Sequence, residues 1–266
     1  MKTLKISTLI IAFASCVVLQ SCNRDKDKDE DLDIETQTSN DNYQVEANVN
    51  DALKEVDAAS TDANLGKTGP TITIDSTSSP KKMTIDYGTS TLCADGKLRS
   101  GKLIVTWTGR YRETGSVITI TPESFSQNGN KLEGVKTIKN EGRNTSGNLY
   151  YTITVSNAKL TTVSGNVSTW NATRNREWIS GESTAAWNDD VYLITGSANG
   201  IASNQIGYTT TIKTPIRVDL SCQYRLTAGE LEVKPTGKVT RTVNYGNGAC
   251  DNTFTVQIGN RTFTIN

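Results

Sequence analysis

The 266-residue chain contains no histidine. That absence removes imidazole general-base catalysis, Ser-His-Asp and Cys-His nucleophile activation, and histidine-ligated zinc in one stroke. Apolar residues make up only 35% of the chain, below the usual globular share, and aromatics only 6%. No charge of either sign is in excess: 28 Lys and Arg stand against 28 Asp and Glu. A chain without a basic surplus is a poor partner for nucleic acid, and none is expected. Proline is scarce, at five residues, which leaves long strands possible. The chemistry that survives is carboxylate-only, as in glycoside hydrolysis, or binding without catalysis. No motif calls for a cofactor or a metal.

Thr, Ser, Asn and Gly take the place of the missing residues. This mixture suits an exported all-β protein with many turns and a solvated sheet face. Export is written into the first residues. Lys2 and Lys5 precede an apolar run from Ile6 to Leu19. At about fourteen residues it falls short of the roughly 18 needed to span a bilayer as a helix. The run ends in Leu19-Gln20-Ser21-Cys22, with Leu at −3, a small residue at −1 and Cys at +1. This is the lipobox pattern, in which a thiolate accepts a diacylglyceryl group before cleavage. Residues 1–21 therefore read as a lipoprotein signal peptide and Cys22 as the lipidation site. The implied partner is the membrane, held by several acyl chains.

Residues 22–44 begin with alternating Asp and Lys and continue in Thr, Ser, Asn and Gln. With nothing to form a core, they are expected to be a disordered acidic tether. Acidic residues directly after a lipidated Cys also resemble the signal that sends lipoproteins of Bacteroidota type to the outer face of the outer membrane. From Val45 the period changes to 3.6, with Val45, Val49, Ala52, Leu53 and Val56 on one stripe. One short helix is expected over about 45–59. From Thr71 the period is two. Strands are expected at 71–75, 82–87, 102–108, 116–121, 125–135, 149–156, 167–178, 190–195, 208–213, 216–224 and 230–233. A last hairpin turns at Gly259-Asn260. Asn128-Gly129 marks another hairpin, and Pro215 is expected at a strand edge or turn. The fold class is all-β: residues 45–266 form a single domain, a large antiparallel meander preceded by one short helix. A twisted sheet, a half-barrel and a sandwich all fit the pattern.

Cys16 leaves with the signal, so Cys93, Cys222 and Cys250 remain in an oxidising compartment. They allow one disulfide and leave one thiol over. Cys222–Cys250 is the favoured pair, with Cys93–Cys250 its rival. Cys250 lies in an internal echo. Thr84-Ile85-Asp86-Tyr87-Gly88 followed by Cys93-Ala94-Asp95-Gly96 parallels Thr242-Val243-Asn244-Tyr245-Gly246 followed by Ala249-Cys250-Asp251. Two similar hairpin corners explain this most simply. A ligand site built from Asp86, Asp95 and Asp251 would need both corners on one side of the sheet. Trp107, Trp170, Trp178 and Trp187, with Tyr111, Tyr150, Tyr151, Tyr192 and Tyr208, read mainly as cross-strand packing; a sugar-stacking platform is the functional alternative. Glu123, Glu133, Asp189 and Asp190 read as solvated turn carboxylates.

Asp86-Tyr87-Gly88, Asp95-Gly96, Gly101-Lys102-Leu103-Ile104-Val105-Thr106, Asn171-Ala172-Thr173-Arg174 and the run from Thr240 to Asp251 together resemble a family of surface lipoproteins of Bacteroidota type. The resemblance covers most of residues 45–266. It implies location and fold continuity and assigns no catalytic residue. Two functional expectations follow. The first is a non-catalytic envelope lipoprotein, lipid-anchored in the cell outer membrane and displayed at the surface, that binds a glycan or a protein or has a structural role. The second is a tethered, carboxylate-dependent glycan hydrolase, which would show two carboxylates facing each other across an open cleft. The missing histidines and the absence of a paired-acid signature favour the first.

Overall fold

A computed structural model describes residues 26–61, 69–184 and 188–265, with side chains at 36–56, 69–184 and 188–265. The signal segment, Cys22 and Trp187 lie outside the described residues. One helix, α1 (Lys26–Thr61), precedes fourteen strands. They are β1 (Thr71–Asp75), β2 (Lys81–Asp86), β3 (Thr91–Leu92), β4 (Leu98–Trp107), β5 (Val117–Gln127), β6 (Asn130–Arg143), β7 (Leu149–Thr161), β8 (Val167–Ser180), β9 (Val191–Ile201), β10 (Gly207–Asp219), β11 (Leu226–Pro235), β12 (Arg241–Asn247), β13 (Phe254–Ile258) and β14 (Arg261–Ile265). All belong to one open antiparallel sheet in which each strand pairs with the next along the chain, β3 pairing aside with β4. Of the three architectures the period allowed, this is the single twisted sheet.

The pleat gives the sheet two faces of different chemistry. On β7, Leu149, Tyr151, Ile153, Val155, Ala158 and Leu160 are buried, and the residues between them are not. The same alternation runs on the neighbouring strands. One contiguous apolar cluster extends from Met83 and Ile85 on β2 to Val243 on β12. The opposite face is solvated and carries a cross-strand row of hydroxyls. Thr106, Thr119, Thr137, Thr154, Thr173, Ser197 and Thr211 stand opposite one another on every strand from β4 to β10. β-branched Thr keeps strand propensity on a wet surface and pairs with itself across strands. This is why a chain with so little apolar content builds so wide a sheet.

The helix differs from expectation. It begins at Lys26, not near residue 45, so much of the segment expected to be a disordered tether is helical. The reason lies in the sheet. Upstream of Val45 the buried positions continue at helical spacing as Thr38, Asp41 and Asn42. Asp41 accepts from the backbone N–H and hydroxyl of Ser203 at 2.6 and 2.7 Å, and Asn42 accepts from the Trp170 indole at 3.0 Å. A polar stripe is invisible to a hydrophobic period and still fixes a helix when the facing surface supplies its partners. The part of α1 around Asp41 and Asn42 thus sits over β8 and the β9–β10 turn. The C-terminal half sits over β2 to β6, so α1 crosses the strands and closes one end of the inner face.

A second difference is β10. Residues 207–219 form one strand where two were expected. Pro215 lies inside it, exposed, where the ladders to β9 and β11 both lose register. The bulge needs a glycine opposite: at Gly229, φ is +111° and a Cβ would come within 2.6 Å of Ile216 Cα. Gly134 is equally constrained, with φ +114° and Ala158 Cα at 2.6 Å from such a Cβ.

Candidate binding site

Three groups of chemically capable residues lie on or beside the inner face. The first is under the C-terminal half of α1. The Arg99 guanidinium, fully buried, is met by Asp95 at 2.7 Å, Glu55 at 3.1 Å and Asp51 at 3.7 Å. Lys97 also contacts Asp51, the Tyr87 hydroxyl donates to Glu55 at 2.8 Å, and Gln127 donates to Asp51 at 2.6 Å. The Arg99 side chain holds Asp95 at about 2, well below the ordinary carboxylate range. Three acids therefore converge, but on a guanidinium and beneath a helix. Such a set fastens α1 to the sheet and presents no proton to a substrate. Farther along α1, Glu46 meets Arg174 at 3.4 Å and Asn50 accepts from Lys136 at 3.0 Å. Every one of these helix residues faces a polar partner on a strand.

The second group fills the other end of the inner face. Ile138, Leu149, Tyr151, Ile153, Trp178 and Tyr192 form a smaller cluster. Tyr111, from the β4–β5 loop, stacks on Tyr151 with ring centroids 4.8 Å apart, and Arg112 lies 4.6 Å over the Trp178 ring. Arg176 is ringed by Tyr111, Tyr151 and Tyr192 at 5.0–5.7 Å. Asp190 accepts from Trp178 at 3.1 Å and from Tyr192 at 2.8 Å, and burial pushes its carboxyl above the ordinary value. These rings close the core. Trp170, Trp178, Tyr151, Tyr192 and Tyr208 are all buried, so they offer no stacking platform to solvent. Of the remaining aromatics in that set, Trp107 packs half-buried against the main cluster.

The third group is the open one. β12 and β13 pair only over Arg241–Asn244 and Thr255–Ile258. Beyond Asn244 they part. β12 stays with β11 as far as Asn247, while the loop that returns to β13 is drawn toward the β10–β11 turn. The draw is covalent: Cys222 and Cys250 form a disulfide with Cα atoms 5.6 Å apart, and Cys93 is a free, half-buried thiol. A pocket of about 170 Å³ occupies the fork, lined by Thr227, Asn244, Tyr245, Asn247, Asp251 and Phe254 among others. Tyr245 and Phe254 are cross-strand neighbours with centroids 6.0 Å apart, and burial raises the Tyr245 phenol pKa.

The internal echo has a local meaning. Asp86 accepts from Gly88 N at 2.9 Å and Asn244 from Gly246 N at 2.9 Å; Asp95 accepts from Lys97 N at 3.2 Å and Asp251 from Thr253 N at 2.8 Å. Each corner uses the same pair of side-chain-capped turns. Their places differ. Along an antiparallel path, β2 and β12 run in opposite directions, so their outgoing corners lie at opposite ends of the sheet. Asp86 is paired to Lys102 and Asp95 to Arg99, far from Asp251. The three aspartates form no common site. Glu133 meets Lys131 and Lys159 on the solvated face. Among the described residues, no group of three or more Cys, Asp or Glu side chains is arranged to hold a metal ion.

Neither a family model, nor a curated protein, nor a solved structure matches this chain. Sequence places Tyr245 in the echo and Phe254 in the closing hairpin, but nothing in it marks the two as lining one pocket, because each looks like one more aromatic on a strand. Only the fork exposes them together.

Proposed function

We propose that this chain is a lipid-anchored protein of the cell outer membrane, displayed at the surface, whose β domain is a non-catalytic binding or envelope-structural module. The anchor is Cys22, and the support for it is Leu19-Gln20-Ser21-Cys22 at the end of a short apolar run, with acidic residues directly after. The observation that carries the non-catalytic half is the use already made of the ionisable groups. Asp51, Glu55 and Asp95 are spent on Arg99 and Lys97, and Asp190 is spent on Trp178 and Tyr192. A glycan hydrolase needs a matched acid and base across an accessible cleft. The pocket in the β12–β13 fork instead holds amides, hydroxyls, one carboxylate and two rings.

The helix refines how the domain is carried. Three residues, and so four Cα-to-Cα steps, separate Cys22 from the first helical residue, Lys26. Fully extended they reach about 14 Å, so the link from anchor to α1 is short. The test is metabolic labelling of the expressed protein with an alkyne fatty acid, followed by membrane fractionation and surface proteolysis of intact cells. Wild type should take the label, sediment with outer membrane and be cleaved from outside. Cys22→Ala should lose label and membrane association together. A wild-type protein that takes no label, or label that survives Cys22→Ala, refutes the anchor.

A further inference from the structure

We infer that the fork between β12 and β13 is a binding site for a single neutral sugar ring. The inference rests on reading the domain as a binding module and adds a place and a ligand class to it. A hairpin normally zips to its turn, because each ladder hydrogen bond satisfies two main-chain groups. Here the zip stops at Asn244 and Thr255. The Cys222–Cys250 bond and the Gly248 N–H donated to Thr227 O at 2.8 Å hold the loop against the neighbouring turn instead. The pocket is thereby preformed, and a ligand entering it need not order the loop.

The lining selects the ligand. Asn244 and Asp251 each spend one side-chain oxygen on their own turns. Among the described residues, the Asn244 amide N–H group and the second Asp251 oxygen, both on pocket-lining residues, make no further hydrogen bond. The exposed Asn247 side chain makes no hydrogen bond among the described residues. Thr227 is 2% exposed, and its buried hydroxyl has no hydrogen-bond partner among the described residues. A buried hydroxyl left unpaired costs about 1–3 kcal/mol, which a ligand polar group would recover. Donors, acceptors and two rings thus surround one small volume. An apolar ligand would strip water from the amides and Asp251 without replacing it. An anion would meet Asp251 with no lining cation to offset it, and a metal would find a single carboxylate. A polyhydroxylated neutral ring satisfies amides and carboxylate through its hydroxyls and covers Tyr245 and Phe254 with its C–H face. The volume of about 170 Å³, below the roughly 300 Å³ of pockets that bury a drug-sized ligand, suits a single ring.

The experiment is saturation-transfer NMR on the mature, disulfide-intact protein, with methyl glycosides of glucose, galactose, mannose and N-acetylglucosamine as probes. At least one glycoside should receive saturation, and titration should give an affinity that weakens about tenfold in Asp251→Asn and in Asn247→Ala. Thr137→Ala, on the solvated face, should bind as wild type. Circular dichroism and melting temperature check that the variants remain folded. Transfer that persists unchanged in both pocket variants places the sugar elsewhere: the pocket assignment falls and the binding-module reading stands. No transfer to any of the four overturns the sugar-site assignment. The fate of the module reading is then read from a separate array of polysaccharides and proteins, on which silence removes it as well.

Discussion

Removing the Cys222–Cys250 disulfide should cost the domain about 3.5 kcal/mol without changing its native sheet. Cys222 and Cys250 are 28 residues apart. Cross-linking a loop of that size removes about 12 cal/mol/K of chain entropy from the unfolded ensemble, or about 3.5 kcal/mol at 25 °C. The perturbation is Cys222→Ala with Cys250→Ala, which avoids leaving a new hydroxyl at buried position 222. In a domain of this length each kcal/mol moves the melting temperature by about 2–4 °C, so a fall of about 7–14 °C is expected. Urea unfolding followed by circular dichroism measures it directly. Because the effect resides in the unfolded chain, the native spectrum should be unchanged and the urea slope should rise as the unfolded state expands. There is also a local signature. The Gly248 amide, bonded to Thr227 O, should exchange faster with solvent, since the loop then swings on its own. A loss below about 1 kcal/mol would refute the entropic reasoning. It would mean that the reduced unfolded chain still keeps the two segments close, or that the native loop gains compensating freedom once the bond is cut.

Further outcomes follow from the inner face. Arg99→Met should destabilise by about 3–5 kcal/mol, because it leaves Asp51, Glu55 and Asp95 to face one another without the guanidinium; a loss under about 1 kcal/mol in denaturant titration would show that these acids take up protons or water at little cost. Gly134→Ala should cost about 2 kcal/mol or more, since φ +114° and the Ala158 backbone at 2.6 Å both oppose a Cβ, whereas Gly147→Ala, at φ +82° with open space around it, should cost less. Stability should also fall as pH drops from about 4 to about 2. Asp95 sits at about 2 in the folded protein against an ordinary 3.8, so its contribution is complete above the unfolded value and is lost as pH falls through the folded one. Asp95→Asn should flatten that part of the pH–stability curve. Asp190 has the opposite sign: its raised carboxyl pKa favours the folded state at low pH and loses that contribution as pH rises. If Asp95→Asn leaves the acid limb unchanged, the Arg99–Asp95 pair is not its source.

The strand pattern was legible because side-chain direction alternates with period two wherever one face is buried. Val117 to Thr121 and Phe254 to Ile265 show it plainly, and both are strands or a hairpin in the structure. The alternation was harder to follow at β10, where Pro215 breaks the ladder but not the strand. It failed for the first half of α1. Thr38, Asp41 and Asn42 are core-facing positions occupied by polar residues, and their partners Ser203 and Trp170 are more than a hundred residues away. Trp170, Trp178, Tyr151, Tyr192 and Tyr208 pack in the core as expected, and the echo forms two similar corners. What the echo could not disclose was that the corners stand at opposite ends.

The sequence by itself determined the β class, the antiparallel meander, the presence of a helix before it and the loss of all histidine chemistry. These follow from composition and from local period, which each residue carries wherever it lies. Only the tertiary structure decided that the sheet is single and open, that acids gather on Arg99, and that β12 and β13 part to leave a pocket. Those outcomes depend on which distant residues face one another. Hydrogen bonds, ion pairs and a disulfide act over a few ångströms in space with no limit along the chain, so no local pattern announces them.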